Sequence, residues 1–275
     1  MKLTRLGFVL IALLAGCSKS DDGTWLGYAE GDYAFVAAPT AGWVTSVAVN
    51  RGSVVKQGDL LFTLDATNQT ATRDQARAAI AQAEGQMGQA QANLELTQKE
   101  LVRQAGLLRA RATSKQNYDL AKSNHDAASA QVAQIEATEN QAKAALQGAA
   151  YQLSQRQVLA QTNGRVQDIY FRQGEYAPAM TPVISVLPPQ NVYIRFFVPE
   201  DQFAKIHLGE KVKIGCDGCA DDIVATVSFI SAQEEFNPPV IFSTASRTKL
   251  VFKIEARASG GLKLHPGQPV DVHAL

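Results

Sequence analysis

Cys216 and Cys219 bracket Asp217-Gly218. A Cys-x-x-Cys pair can be a redox couple, half of a metal site or a structural disulfide. A redox thiolate needs a helix start or a cation behind it to lower its pKa, and no helix start follows this pair. A metal site needs further thiols or imidazoles, and the four histidines are scattered along the chain. Asp-Gly between alternating segments is a tight-turn signal. The ends of such a turn fall within about 7 Å, compatible with the roughly 4.4–6.8 Å between the Cα atoms of a disulfide. A structural disulfide is the preferred reading, ahead of two free thiols and then of catalysis.

The remaining cysteine, Cys17, closes "MKLTRLGFVLIALLAGC". Lys2 and Arg5 precede an apolar run from Leu6 to Ala15, which is too short to span a bilayer as a finished helix. Charged start, short apolar stretch and small residues before a cut make a secretory signal. Leu14-Ala15-Gly16-Cys17 resembles the bacterial lipobox, whose cysteine is acylated and becomes the first residue of the mature chain. That implies a chain anchored to a membrane face rather than spanning it. The alternative is a plain signal peptide with an incidental cysteine. Ser18 favours outer-membrane sorting by one rule and Lys19-Ser20 inner-membrane retention by another; the inner membrane is the preferred reading. In an oxidising compartment Cys216 and Cys219 then form an even pair.

A third cluster is basic. Arg103, Arg109, Arg111 and Lys115 crowd together with no acid between Glu100 and Asp119. Overall, 26 Lys and Arg balance 26 Asp and Glu, which gives no argument for nucleic acid or an acidic substrate, and no nucleic-acid partner is expected. No Ser/His/Asp set, paired carboxylates in apolar context or phosphate-binding glycine loop appears, and Asp221-Asp222 reads as a solvated turn. The chain is read as no enzyme, without cofactor or metal.

The elements that position these groups follow from periodicity. No proline occurs between Pro39 and Pro178, and residues 66–161 are rich in good helix formers. Ile80, Met87, Leu94, Leu101 and Leu108 recur every seventh residue, beside a second row of Ala76, Ala83, Ala90 and Thr97. Beyond the basic cluster the rows are Ala128, Ile135, Ala142 and Ala149, and Val132, Leu146 and Leu153 with Glu139 as a polar lapse. Sustained heptads argue for a coiled coil, and two arms about a break argue for an antiparallel hairpin about 65 Å long at the helical rise.

The flanks repeat one another. "GWVTSVAVNRGSVVKQGDLLFTL" (42–64) aligns without gaps on "GRVQDIYFRQGEYAPAMTPVISV" (164–186): Val44 meets Val166, Val47 meets Ile169, Val49 meets Phe171, Gly52 meets Gly174 and Leu64 meets Val186. Both alternate as half-buried strands do and place glycine where a turn needs it. They complete one small β domain only if the helical arm returns to its start. Short alternating segments after residue 189 ("NVYIRFFVPE", "LGEKVKI", "IVATVSFIS", "LVFKIEA", "LKLHPGQPVDVHAL") read as a small barrel, with "EDQFAKI" as one short helix. Trp25, Tyr28 and Tyr33 read as packing on a β domain in preference to facing lipid headgroups.

The half-motif resembles half a lipoyl domain. A lipoyl domain split by a helical hairpin, followed by Gly209-x-x-Val212-x-Ile214 and Pro266-Gly267-Gln268-Pro269-Val270, resembles the periplasmic adaptors, or membrane fusion proteins, of the hemolysin-D type. "SAQEEFNP" and Arg247 with "LVFKI" look most like adaptors of ABC-type tripartite efflux pumps. The implied fold is mixed α and β and elongated: a split lipoyl-like β domain interrupted by an antiparallel α-helical coiled-coil hairpin, plus a small β-barrel. The expected division is 1–16 signal peptide, 17–36 anchored stub, 37–65 first half-motif, 66–161 hairpin, 162–188 second half-motif and 189–275 barrel. The stub is also a candidate contributor to a membrane-proximal domain. The implied partners are an inner-membrane transporter, ABC-type favoured, a TolC-type outer-membrane channel, further copies in a hexameric ring, and the membrane through the lipid.

Arg103, Leu107 and Ser114 match the spacing of the Arg/Leu/Ser tip motif by which such adaptors engage TolC-type tunnels. The resemblance implies that Arg103 bonds the tunnel tip, Leu107 fills an apolar notch and Ser114 adds a polar contact. Arg109, Arg111 and Lys115 form an electropositive rim. The bland alternative is a solvated turn whose charges keep an exposed end soluble. Two other functions compete: a structural coiled-coil lipoprotein tethering envelope layers, against which the duplicated half-motif and barrel argue, and a carrier-domain enzyme subunit. A carrier presents a lysine at the turn that the hairpin replaces here, and Lys56 lies elsewhere.

Overall fold

The computed structural model describes residues 23–219, 223–236 and 250–275. The signal segment, Cys17, Ser18, Lys19-Ser20, Asp221-Asp222 and Arg247 lie outside the described residues. In chain order the strands are β1 (Thr24–Gly31), β2 (Ala34–Ala37), β3 (Gly42–Val47), β4 (Val54–Val55), β5 (Leu60–Leu64), β6 (Gln157–Leu159), β7 (Gly164–Ile169), β8 (Tyr176–Ala177), β9 (Pro182–Leu187), β10 (Val192–Pro199), β11 (Lys211–Gly215), β12 (Ile223–Phe236), β13 (Leu250–Arg257) and β14 (Pro269–Ala274). The α-helices are α1 (Thr67–Arg109), α2 (Lys115–Ser154) and α3 (Glu200–Phe203). They divide into two compact units, Phe35–Val186 and the remainder.

The first unit is a β-sandwich with a hairpin inserted in it. Its sheets have the orders β2-β9-β7-β4 and β6-β5-β3-β8. The offset that aligns the two half-motifs also carries β2 onto β6, β3 onto β7, β4 onto β8 and β5 onto β9, so an internal twofold exchanges the sheets. Each sheet takes strands from both sides of the hairpin, so neither half can build one alone. The twofold is visible in single bonds. Gly52 donates to the Val166 carbonyl at 2.8 Å and Gly174 to that of Val44 at 2.8 Å. Both glycines sit at φ 87°, a left-handed conformation that glycine adopts without steric cost. Val44, Val55, Leu61, Phe62, Leu64, Val166, Val183, Ile184 and Val186 fill the space between the sheets.

The symmetry is imperfect at one turn. Gly58, at φ 93°, donates to Ala160, and its counterpart Met180, at φ 59°, donates to Ala38. Met180 therefore holds a left-handed conformation that costs an L-residue about 1–2 kcal/mol, with its side chain 77% exposed.

The hairpin arms have 43 and 40 residues, about 65 and 60 Å at the helical rise. The rows of small residues, Ala83, Ala90, Ala121, Ala128 and Ala149 with Ile135, are buried between the arms, and the larger row Ile80 to Leu108 flanks them half-exposed. Small knobs let two backbones approach closely. The polar lapse at Glu139 is met by Lys143 one turn on, at 2.5 Å. The hairpin is shorter at its return than composition implies: α2 stops at Ser154 and Gln157–Leu159 is an edge strand beside β5. "QRQVLAQ" carries no helix stop signal. The chain is turned there by long-range bonds, from the Leu64 amide to the Arg156 carbonyl and from the Arg156 guanidinium to the Ala41 carbonyl.

The second unit is a closed six-stranded barrel, β1-β10-β13-β12-β11-β14. Here the structure differs from the expected anchored stub over 17–36: Thr24–Gly31 pairs with both β10 and β14 and completes the barrel. Trp25 is buried, stacks on Phe196 at 5.8 Å and donates its indole N–H to Gln202 at 2.8 Å. "TWLGYAEG" has two glycines and no β-branched run, so only its two neighbours make it a strand. Arg195 ties three barrel strands together, bonding Glu30 at 2.5 Å and Glu255 at 2.8 Å. Burial beside this network pushes the Tyr193 phenol up to about 12.

Candidate functional site: the hairpin tip

The turn between α1 and α2 closes by helix-end chemistry. Ala112 donates to the Leu107 carbonyl at 2.8 Å and Arg111 to that of Leu108 at 3.0 Å. These are the two bonds of a Schellman motif, whose left-handed residue is usually glycine. Here it is Arg111, at φ 60°. Three residues later Ser114 caps α2, its hydroxyl oxygen accepting from the Asn117 amide at 3.2 Å. Between these ends the arms are clasped by side chains. Asn117 donates to the Thr113 hydroxyl (3.2 Å), Thr113 to the Gln104 carbonyl oxygen (2.9 Å), and Gln104 to Glu100 (2.8 Å).

Arg103 and Leu107 lie on the last turns of α1, four residues apart on one face, and Ser114 begins α2. The structure thus brings all three to one end of the hairpin. Arg103 pairs with Glu100 one turn earlier while its side chain stays 67% exposed. Leu107 is 37% exposed, a partly covered apolar group at the tip. Arg109, Arg111 and Lys115 are exposed and, among the described residues, make no ion pair. The tip is therefore an electropositive cap with one apolar spot.

Four participants were not singled out by spacing. Glu100 orients Arg103, and Gln104, Thr113 and Asn117 join the arms. Gln104 continues the seven-residue row of Ala83, Ala90 and Thr97, and a polar residue in that row is a signal that a partner awaits it. Ser114 before a helical run is an N-cap signal as well as a candidate contact.

At the far end of the sequence, Cys216 and Cys219 are joined as a disulfide with Cα atoms 5.4 Å apart. Gly218 takes φ 77° in the turn, and the Cys219 amide donates back to the Cys216 carbonyl at 3.2 Å.

Split sandwich, inserted hairpin and six-stranded barrel give this chain the fold of solved membrane fusion proteins, such as Spr0693 from Streptococcus pneumoniae R6, which matches 92% of this chain and 98% of its own length with a TM-score of 0.56 at 17% identity. Residues 79–156 match the family described as "RND MFP, alpha-helical hairpin domain". A UPF0194 membrane protein of Acidithiobacillus ferridurans is 32% identical over 48% of this chain and 39% of its own length. The colistin resistance protein EmrA of Acinetobacter baumannii is 24% identical over 77% of this chain and 70% of its own. The chain thus spans about two-fifths of the first of these relatives and over two-thirds of the second. The crystal structure of MacA from Actinobacillus actinomycetemcomitans covers 92% of this chain, and the match takes in 78% of MacA, with a TM-score of 0.68 at 19% identity. That likeness establishes the shared fold.

Proposed function

We propose that this protein is a lipid-anchored periplasmic adaptor that couples an inner-membrane transporter, ABC-type favoured, to a TolC-type outer-membrane channel. Cys17 carries the lipid, and copies assemble into a ring. The work is mechanical: the transporter supplies the energy, and the adaptor holds a sealed route. No helix among the described residues is long and apolar enough to cross a membrane, and an acylated Cys17 would supply the attachment instead. The observation that carries the reading is the hairpin tip. A long two-helix arm ends in a clasped turn that presents Arg103, Leu107 and three unpaired cations. Such an end complements an acidic, notched channel rim.

The test is photo-cross-linking from position 107 in intact cells, beside an export assay. Cross-links to an outer-membrane channel, lost together with export in Arg103→Asp, are the expected result. Cross-links running only to the inner-membrane transporter, or normal export by Arg103→Asp and Leu107→Ala, would overturn it. Palmitate labelling that persists in the wild type and disappears in Cys17→Ala checks the anchor.

A further inference from the structure

The internal twofold of the sandwich passes through a cleft. Under the offset that aligns the half-motifs, Val47 meets Ile169, Asn50 meets Arg172 and Arg51 meets Gln173, and all six line one opening of about 480 Å³. Its floor is apolar: Val47, Val49 and Ile169 are half-buried and pack against the core between the sheets. Its walls are polar and exposed, and the two halves write them in opposite order, Asn50-Arg51 on one side and Arg172-Gln173 on the other. The two guanidiniums are not equivalent. Arg51 pairs with Asp168 at 3.4 Å and donates to the Gln167 carbonyl at 3.4 Å. The twofold image of Asp168 is Ser46, which carries no charge. Glu175 accepts from the backbone amide of Arg172 at 2.9 Å and does not line the cleft. Among the described residues, the Arg172 guanidinium and the side-chain amides of Asn50 and Gln173 make no hydrogen bond or ion pair.

We propose that this cleft binds a small amphipathic organic anion, one carboxylate or sulfonate on a compact apolar body. Small-molecule sites hold about 300–1,000 Å³ and join an apolar lining to a few placed polar groups, and the cleft has that size and that lining. The apolar body covers Val47, Val49 and Ile169, taking from water a surface the fold leaves half-exposed. The anionic head takes charge-assisted hydrogen bonds from Arg172, which are stronger than neutral ones, and the Asn50 and Gln173 amides supply further donors. A neutral body would cover the guanidinium and give it no partner. A dianion gains little over a monoanion, because Asp168 already holds the second guanidinium. A ligand seated here touches both halves of the split sandwich, so it binds only the assembled domain and stabilises it by mass action. None of this depends on the lipid, the hairpin tip or the association of copies.

The experiment uses the full chain in nonionic detergent, with anilinonaphthalene sulfonate as the probe and a micelle blank subtracted. Calorimetric titration should show one site per chain that saturates below about 1 mM. Hydrogen exchange should slow over 47–51 and 168–173 as the site fills. Arg172→Gln removes the free cation, and Asn50→Asp sets a carboxylate of the same shape against the anion. Each variant, checked as folded by circular dichroism, should weaken binding about tenfold. Sodium sulfate at the same concentration has no apolar body and should neither bind nor displace the probe. Absence of a saturable site, exchange that slows only elsewhere, or unchanged binding in both variants would overturn the proposal. Displacement of the probe by sulfate would overturn the part given to the apolar floor, and the ligand class with it.

Discussion

The amide of Gly52 donates to the carbonyl of Val166 at 2.8 Å, from one side of the hairpin to the other. Its twin, Gly174 to Val44, runs the opposite way. These reciprocal bonds make the sandwich a single unit although a hairpin with arms of 43 and 40 residues lies between its halves. The hairpin is an insertion that the sandwich tolerates because both of its ends arrive at the same place.

Deleting the hairpin should therefore leave a folded sandwich, but only if β6 is kept. A short glycine-rich link from Asp65 to Arg156 retains it. A link from Asp65 to Gln161 removes buried Val158 and Ala160 and the bonds of Ala160 with Gly58 and Asp59. The longer deletion should cost about 2–4 kcal/mol more, read from urea unfolding of both variants. Equal stability would mean that β6 contributes nothing.

Arg111 and Met180 both hold left-handed backbone. Arg111→Gly and Met180→Gly should each raise stability by about 0.5–1 kcal/mol, the relief of strain exceeding the extra freedom glycine has when unfolded. Thermal melts decide this. Arg111→Gly also removes one tip cation without disturbing the turn, so any export defect it shows belongs to charge.

Ser114 serves as a cap whether or not it touches a channel. Ser114→Ala should lower hairpin stability by about 1 kcal/mol, and Ser114→Asp should preserve it. Export measured in the Asp variant separates the cap from the contact. Equal melting of wild type, Ala and Asp variants would show that the hydroxyl does not cap α2.

The Asp65 carboxylate accepts from the Thr67 hydroxyl at 2.6 Å and from the Thr67 amide at 3.1 Å, just ahead of α1. These bonds, with Arg156 nearby, hold its pKa below the ordinary 3.8. The resulting stability is present above that ordinary value and is lost as pH falls through the depressed one. Asp65→Asn should flatten the acid limb of a stability profile taken from about pH 6 to pH 2. An unchanged limb would remove Asp65 from the account.

Alkylation before and after reduction should find Cys216 and Cys219 blocked until reduced. Replacing both with serine should cost about 2 kcal/mol at most, since so short a loop constrains the unfolded chain little. Loss of export in that variant with folding intact would reopen a redox role.

The sequence alone determined the helical arms, through heptads that survive for six turns or more, and the duplicated half-motif, through a gapless alignment. Periodicity and repetition are local properties, written in residue order. It also marked the tip, because cations without neighbouring acids stand out in any helix. Only the tertiary structure decided where the hairpin ends and what Thr24–Gly31 becomes. "QRQVLAQ" can continue a helix, and it becomes β6 because β5 lies beside it. Thr24–Gly31 lacks the composition of a strand and becomes one by closing the barrel between β10 and β14. The roles of Glu100, Gln104, Thr113 and Asn117 also waited for the fold, since a clasp between two arms exists only once the arms are antiparallel. Hydrogen bonds between residues far apart in the chain decided the first two, where the hairpin ends and what Thr24–Gly31 becomes, and no residue order records which distant partner will be in reach.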